Sequence, residues 1–354
     1  MMERFDLSLG TLSADLLGEK ESWKAPLVEY GPRGGFESLR RALAQKEAVP
    51  ADCVIITNGA SMGLTATFAT IDKSRAILLP RPYYPAYPNI ARFLGLRLSF
   101  YDLRPHQRWV KAISAAVRER PTGAIVVNTP GNPLGNLASA EDIAELQEIG
   151  QLADALLVLD ETYAGIVLDP VAESWTGIGA PAGMVRLKSL SKAQLLAGER
   201  IGYAIAETTI ANQIEEAHWV LAMCPAITAQ ANAARALLGD GSEHLVDLCA
   251  QLRVSRDSAL LALKQTHGIE VSSPAAGVFL WIEFPDVGRS GVDIARLCRE
   301  QYGVTVMPGE ACGQNNPPAI RASFARQEAD AAKAFHLLAR ALSELPIRSQ
   351  RQEG

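Results

Sequence analysis

SLSKAQLLAGERIG, residues 189–202, sets the reading of the chain. It places Lys192 just beyond an apolar run, VRLKSL at 185–190, with small hydroxyl residues ahead of it and Arg200 eight positions on. An isolated lysine is normally a solvated surface group, and such a run could be a plain loop between strands. In an apolar setting, however, a desolvated lysine has a lowered pKa and can serve as a Schiff-base amine. The amine and the Arg200 guanidinium then bracket one phosphate-sized volume. RIGYAIA at 200–206 follows as another apolar run.

Runs of the same kind precede it: CVIIT at 53–57, AILLP at 76–80, AIVVN at 124–128 and ALLVLD at 155–160. Continuous apolar runs are what parallel strands buried on both faces look like. Amphipathic helical stretches at 36–46, 63–71 and 138–153 lie between them. Alternating strand and helix predicts a doubly wound α/β layer, its sheet mostly parallel, with helices on both faces. After about residue 207 the pattern changes to long helical segments at 210–222, 226–238 and 243–265. Strand-like runs at 277–284, 303–308 and 319–325 come next, then a last helix at 327–345. Residues 30–240 are therefore expected to form the larger domain. Residues 1–29 with 241–354 are expected to form a smaller α+β domain.

Of the 354 residues, 48% are hydrophobic and 21% charged, which suits a large buried core of about two domains. The formal net charge of −5, with acids and bases interleaved, offers no basic field for nucleic acid or an anionic membrane. Five cysteines, far apart and without a Cys-x-x-Cys pair, suit free thiols and no metal site. The opening MMERFDLSLG has no basic stretch followed by an apolar run, and nothing approaches the roughly 18 apolar residues of a membrane span. A cytoplasmic location is the expectation.

Other motifs fall at the ends of the apolar runs, where α/β sheets present their ligand crevice. LDETY at 159–163 puts Asp160 directly after a strand, where a helix cap or turn is the plain alternative. NTPGNPLG at 128–135 reads by itself as a Pro/Gly turn. TNGASMGL at 57–64 leaves a strand and opens a helix, so free N–H groups and the positive helix end face one spot. RPYYPAYP at 81–88 carries aromatics that could be packing alone. In AIRASF at 319–324, Arg321 sits in an apolar run, where an unpaired charge is costly; a structural salt bridge is the alternative to a ligand.

Taken in register, these motifs resemble the class I/II aminotransferases, the aspartate aminotransferase superfamily of fold type I, from about Leu7 to Leu345. The resemblance implies pyridoxal 5′-phosphate (PLP) as cofactor, carried as a Schiff base by Lys192, which also moves the proton between the substrate α-carbon and the cofactor. It implies that Ser189, Arg200, Ala60 and Ser61 bind the phosphate and that Tyr84 stacks on the pyridine ring. Asp160 then pairs with the ring nitrogen, while Tyr163 and Asn132 contact the phenolic oxygen. Asn132 also borders the substrate. Leu134 stands where the family usually has threonine. Arg321 matches the arginine that takes the substrate α-carboxylate, and Gly10 matches weakly a glycine near it. The spacing YGPRGGFESLR at 30–40 matches a tyrosine that reaches the partner subunit's cofactor phosphate, so Tyr30 implies a homodimer with shared active sites. Only about twenty residues separate Gly10 from Tyr30, so the arm that closes over the substrate looks abbreviated.

The implied activity is transamination between an amino acid and a 2-oxo acid. The same residues also support β- or γ-elimination, cyclisation or decarboxylation. No residue matches a second arginine for a distal carboxylate, which leaves neutral, aromatic and basic side chains open beside glutamate. A sensor of this fold would be expected to carry an added DNA-binding domain, for which the chain has no room. A Rossmann dehydrogenase would show Gly-x-Gly-x-x-Gly after the first strand, and none is present.

Overall fold

The computed structural model describes residues 5–6, 30–169, 178–238, 241–314 and 316–346. Gly10 and the arm preceding Tyr30 therefore lie outside the described residues, apart from Phe5 and Asp6. The first elements are β1 Phe5–Asp6, α1 Glu37–Glu47, β2 Val54–Thr57, α2 Ala60–Ala69, β3 Ala76–Arg81, α3 Ala86–Phe93 and β4 Arg97–Asp102. Next come α4 Trp109–Ala116, β5 Thr122–Asn128, α5 Ala140–Leu152, β6 Leu156–Asp160, β7 Met184–Ser189 and β8 Gly202–Ala206. Three helices follow, α6 Thr208–Ala222, α7 Ile227–Leu238 and α8 Gly241–Leu263. The chain closes with β9 Glu270–Val271, β10 Phe279–Glu283, α9 Gly291–Tyr302, β11 Val304–Thr305, β12 Met307–Pro308, β13 Ala319–Ser323 and α10 Glu328–Ser343.

Seven strands form the main sheet in the order β2-β8-β7-β6-β5-β3-β4. From β7 to β4 every neighbouring pair is parallel. β8 alone is antiparallel to both its neighbours. The cause is the connection: a parallel neighbour needs a crossover with a helix, whereas residues 190–201 hold only a short 3-10 turn between β7 and β8. The chain therefore turns straight back, and that return loop carries Lys192.

The apolar runs are uninterrupted because both sheet faces are covered. On one face Ile77, Val126, Val158 and Val185 pack with Leu64, Phe68, Tyr87 and Ile214. On the other, Ile125, Val127, Leu157 and Leu159 pack with Trp109, Ile113, Ile143 and Leu146. Strand alternation sends successive residues to these two clusters. Beneath the strand ends, α1 is tied to the sheet by a buried ion network. Arg186 Nε donates to Glu161 at 2.7 Å and Nη2 to Glu47 at 3.0 Å; Lys188 reaches Glu47 at 2.6 Å, and Tyr203 Oη donates to it at 2.8 Å.

A second sheet, β12-β13-β10-β9, is antiparallel throughout. Its core of Phe279, Leu280, Phe284, Phe324 and Phe335 joins residues of α8, α9 and α10. The run at 303–308, expected as one strand, splits in two. Val304–Thr305 pairs in parallel with Phe5–Asp6, whereas Met307–Pro308 pairs with β13, so Val306 marks the change of partner.

Candidate active site

The ends of β5, β6 and β7 place Asn128, Asp160 and Ser189 along one edge of the main sheet, the edge from which ligand crevices of open α/β sheets are built. A cavity of about 540 Å³ opens there, with Asp160, Lys192 and Arg200 on its sheet side and Arg321 of the second sheet opposite. Ala60, Ser61, Tyr84, Asn132, Tyr163 and Ser189 also line it. Ten of the residues singled out from the sequence therefore converge on one space.

Lys192 sits in the return loop, whose fold is fixed by Leu196 N–H donating to the Leu190 carbonyl and Leu195 N–H to that of Lys192. Its pKa is lowered from 10.5 to about 8, first by burial and then by the positive charges of Arg200 and Arg321. A neutral amine is thus accessible near physiological pH. The Tyr163 ring lies 5.6 Å from its Nζ. Burial raises the Tyr163 pKa against the opposing pull of Arg321, so the phenol keeps its proton.

The anion-suited corner is made by the turn from β2 into α2. Gly59 has φ +77°, and a Cβ there would lie 2.7 Å from Arg200 Nη2. A Cβ on Gly202 would lie 2.7 Å from the Ala60 nitrogen. These two glycines let the first turn of α2 come against β8 and the Arg200 guanidinium. Arg200 is itself held by donation to the Ala197 carbonyl at 3.1 Å and to Ser191 Oγ at 3.5 Å. N–H groups at a helix start beside a guanidinium favour a phosphate.

Asp160 is fixed at both oxygens: Tyr87 Oη donates to Oδ2 at 2.5 Å and the Thr162 N–H to Oδ1 at 3.0 Å. Burial, and next the negative charge of Asp160, push the Tyr87 pKa well above its usual value, so this donor stays protonated. Asn128 holds the neighbouring backbone, donating from Nδ2 to the Asp160 carbonyl at 2.9 Å and accepting the Asn132 N–H at 2.6 Å. Arg321, 3% exposed, donates from Nη1 to Asn132 Oδ1 at 2.8 Å, and its Cζ lies 4.1 Å from the centre of the Phe279 ring. With Oδ1 so engaged, the Asn132 amide group is oriented as a donor.

Tyr30, 80% exposed, does not line this cavity, and Gly10 lies outside the described residues. Among the contributors that escaped the sequence reading are Tyr87, Thr162, Ser191, Phe279 and Asn128. Tyr87 had a signal, because it follows Tyr84 by three positions at a helix start and so shares its face; the rings meet edge-on at 5.5 Å. Phe279 had none, since an aromatic in an apolar strand reads as core. No helix among the described residues is long and apolar enough to cross a membrane, and no metal-ligating cluster occurs among them.

Comparison with known proteins agrees with this geometry. The aminotransferase class I and II family matches residues 17–338. A probable aspartate aminotransferase of Methanocaldococcus jannaschii is 27% identical over 88% of this chain and 84% of its own length. An aromatic-amino-acid aminotransferase of Thermococcus litoralis is 25% identical over 86% and 82%. Among solved structures, the Thermus thermophilus aspartate aminotransferase with maleate superposes with a TM-score of 0.81 at 26% identity, covering 89% of this chain and 84% of that one. The fold is thus fold type I. The chain belongs to the aminotransferase class I and II family and is an enzyme of the aminotransferase kind. Elimination, cyclisation and decarboxylation find no support among these relatives.

Proposed function

We propose that the enzyme transfers the amino group of an amino acid to a 2-oxo acid, with PLP bound at Lys192, as a cytoplasmic homodimer. The observation that carries this reading is the convergence in one cavity of an amine with a pKa of about 8, a carboxylate fixed by two donors and a buried arginine. The donor set fits the cofactor. Two glycines, at 59 and 202, let the first turn of α2 lie close against Arg200 and β8, and Ala60, Ser61, Ser189 and Arg200 would hold the phosphate there. Asp160 would keep a proton on the ring nitrogen, Tyr84 would cover the ring, and Tyr163 and the Asn132 amide would donate to its phenolic oxygen. When bound, PLP supplies an aldehyde carbon and a ring that withdraws electrons from the substrate α-carbon.

The protein's own part is positioning and proton transfer. Arg321 takes the α-carboxylate with a guanidinium held by Asn132 and stacked on Phe279, so the amino acid enters in one orientation. Lys192 Nζ would remove the α-proton and carry it from the substrate to the bound cofactor, a role that needs an uncharged amine at working pH. Tyr87 and Thr162 keep the Asp160 carboxylate from swinging away, and Phe279 shields the Arg321 face from water. Tyr30, at the surface, is available to a partner subunit's phosphate. Residues 30–240 form the cofactor-binding unit in this reading, and 1–29 with 241–354 the smaller one. The other reactions of the scaffold have no observation in their favour.

The test is reconstitution with PLP, borohydride reduction and peptide mapping, followed by a scan of amino acids for 2-oxo acid formation. Reduced cofactor on residue 192, with a 2-oxo acid product, is expected. Label elsewhere, or persistence of the label in Lys192→Ala, would refute the site. Mixed dimers of Tyr30→Phe and Lys192→Ala chains should regain activity; failure would refute the shared site.

A further inference from the structure

The turn that presents the phosphate cradle is held from outside by a residue so far without a role. Between β2 and α2, Thr57 Oγ1 donates to the Gly59 carbonyl at 3.0 Å and the Gly59 N–H donates to the Thr57 carbonyl at 2.8 Å. Both bonds stay inside the turn. The Asn58 N–H leaves it and donates to His218 Nε2 on α6 at 3.3 Å. His218 is 1% exposed.

The tautomer follows from the partners. An amide N–H can only donate, so Nε2 carries a lone pair and in the neutral ring the proton resides on Nδ1. The surroundings favour the neutral ring. α6 packs on α2, β2 and β8, and none of their residues, 60–69, 54–57 and 202–206, carries a charged side chain. Asp52, from the short 3-10 turn that also meets α6, accepts from Thr208 at the far end of the helix. On α6 itself Glu215 lies against Gly34, and beside His218 the Arg33 guanidinium covers Trp219. Burial lowers the His218 pKa, and the Met223 backbone opposes this without overturning it.

We propose that His218 is the positioning residue of the phosphate-binding turn. Its neutral imidazole holds the Asn58 N–H and so sets the angle at which Gly59 meets Arg200 and the Ala60 and Ser61 N–H groups meet the PLP phosphate. The Asn58 Oδ1 is buried without a hydrogen-bond partner among the described residues, so the turn has little else outside itself to hold it at this point. The inference rests on the PLP reading above.

The experiment compares PLP with pyridoxal, which lacks the phosphate, by spectroscopic titration of apoenzyme. His218→Phe keeps a ring but has no acceptor; PLP affinity should fall about tenfold, the scale of one unmade buried hydrogen bond, while pyridoxal affinity holds. His218→Gln, whose Oε1 can accept the same N–H, should restore PLP affinity to within about threefold of wild type. Equal weakening of both ligands by His218→Phe would mark a merely structural role and overturn the proposal. So would unchanged PLP binding. A wild-type protein that binds neither ligand overturns the PLP reading instead, and the proposal with it. Nitrogen NMR of His218 in the unaltered protein gives an answer even where the variants do not fold: at pH 7 Nε2 should be unprotonated, and a protonated Nε2 would overturn the proposal.

Discussion

The lowered pKa of Lys192 can be read directly in the apoenzyme. At a pKa of about 8, roughly one amine in four is uncharged at pH 7.5, against about one in a thousand for an ordinary lysine, so residue 192 should react some 200-fold faster than a surface lysine on this ground alone. Acylation by a small reagent in slight deficit, followed by peptide mass analysis across the pH range, should give a midpoint of about 8. Arg200→Gln should move that midpoint upward, because a neighbouring cation opposes protonation and its loss relieves the opposition. The stability of the apoenzyme carries the same sign. Below about 8 the folded protein must hold a buried cation and the penalty is full. As pH rises from there toward the ordinary lysine value, the unfolded chain keeps a proton that the folded one has released, and stability gains from this group. A wild-type midpoint near 10, or an Arg200→Gln midpoint that stays or falls, would refute the account.

Further outcomes follow from the same geometry. Tyr87→Phe keeps the ring but removes a donor to a charged oxygen, and should cost about 1.5–3 kcal/mol in urea unfolding, a cost largely absent in an Asp160→Asn background; an equal cost in both backgrounds would sever the link to Asp160. Arg186→Met leaves Glu161 and Glu47 with Lys188 as remaining cation, and about 3–5 kcal/mol of stability should be lost by the same measurement; a neutral outcome would show the network to be dispensable. Arg321→Gln should raise the amino-acid KM steeply with PLP affinity nearly unchanged, whereas parallel loss of both would make the arginine structural. Gly59→Ala adds a Cβ at φ +77° within 2.7 Å of Arg200, and of order 1–3 kcal/mol of strain should appear as weaker PLP binding, read by equilibrium titration. Wild-type affinity in that variant would mean the turn relaxes freely.

The strands of the main sheet were legible because burial on both faces leaves nothing but apolar residues in them, as in Thr122–Asn128. β4 was not. At the sheet edge its residues RLSFYD have exposed ends, with half-buried Leu98 and Phe100 alternating with buried Ser99 and Tyr101, and such a mixed hexamer gives no continuous apolar run. The reversal of β8 was hidden as well, since an apolar strand reads the same in either direction and only the missing helix in 190–201 hints at it. Among site residues, those in spaced motifs (Lys192, Asp160, Asn132, Arg200) were visible as a pattern. Phe279 was not, because its side chain is of the kind that fills any core and its role depends on what lies across the fold from it.

The return loop between β7 and β8 also limits how this chain can vary. Ser189 and Gly202 face each other across the ladder, so the twelve residues between them close a bracket of fixed length. Lys192 and Arg200 both lie inside it, so one residue more or less would shift the amine against the guanidinium in the cavity they share. Length changes are better tolerated in outer loops.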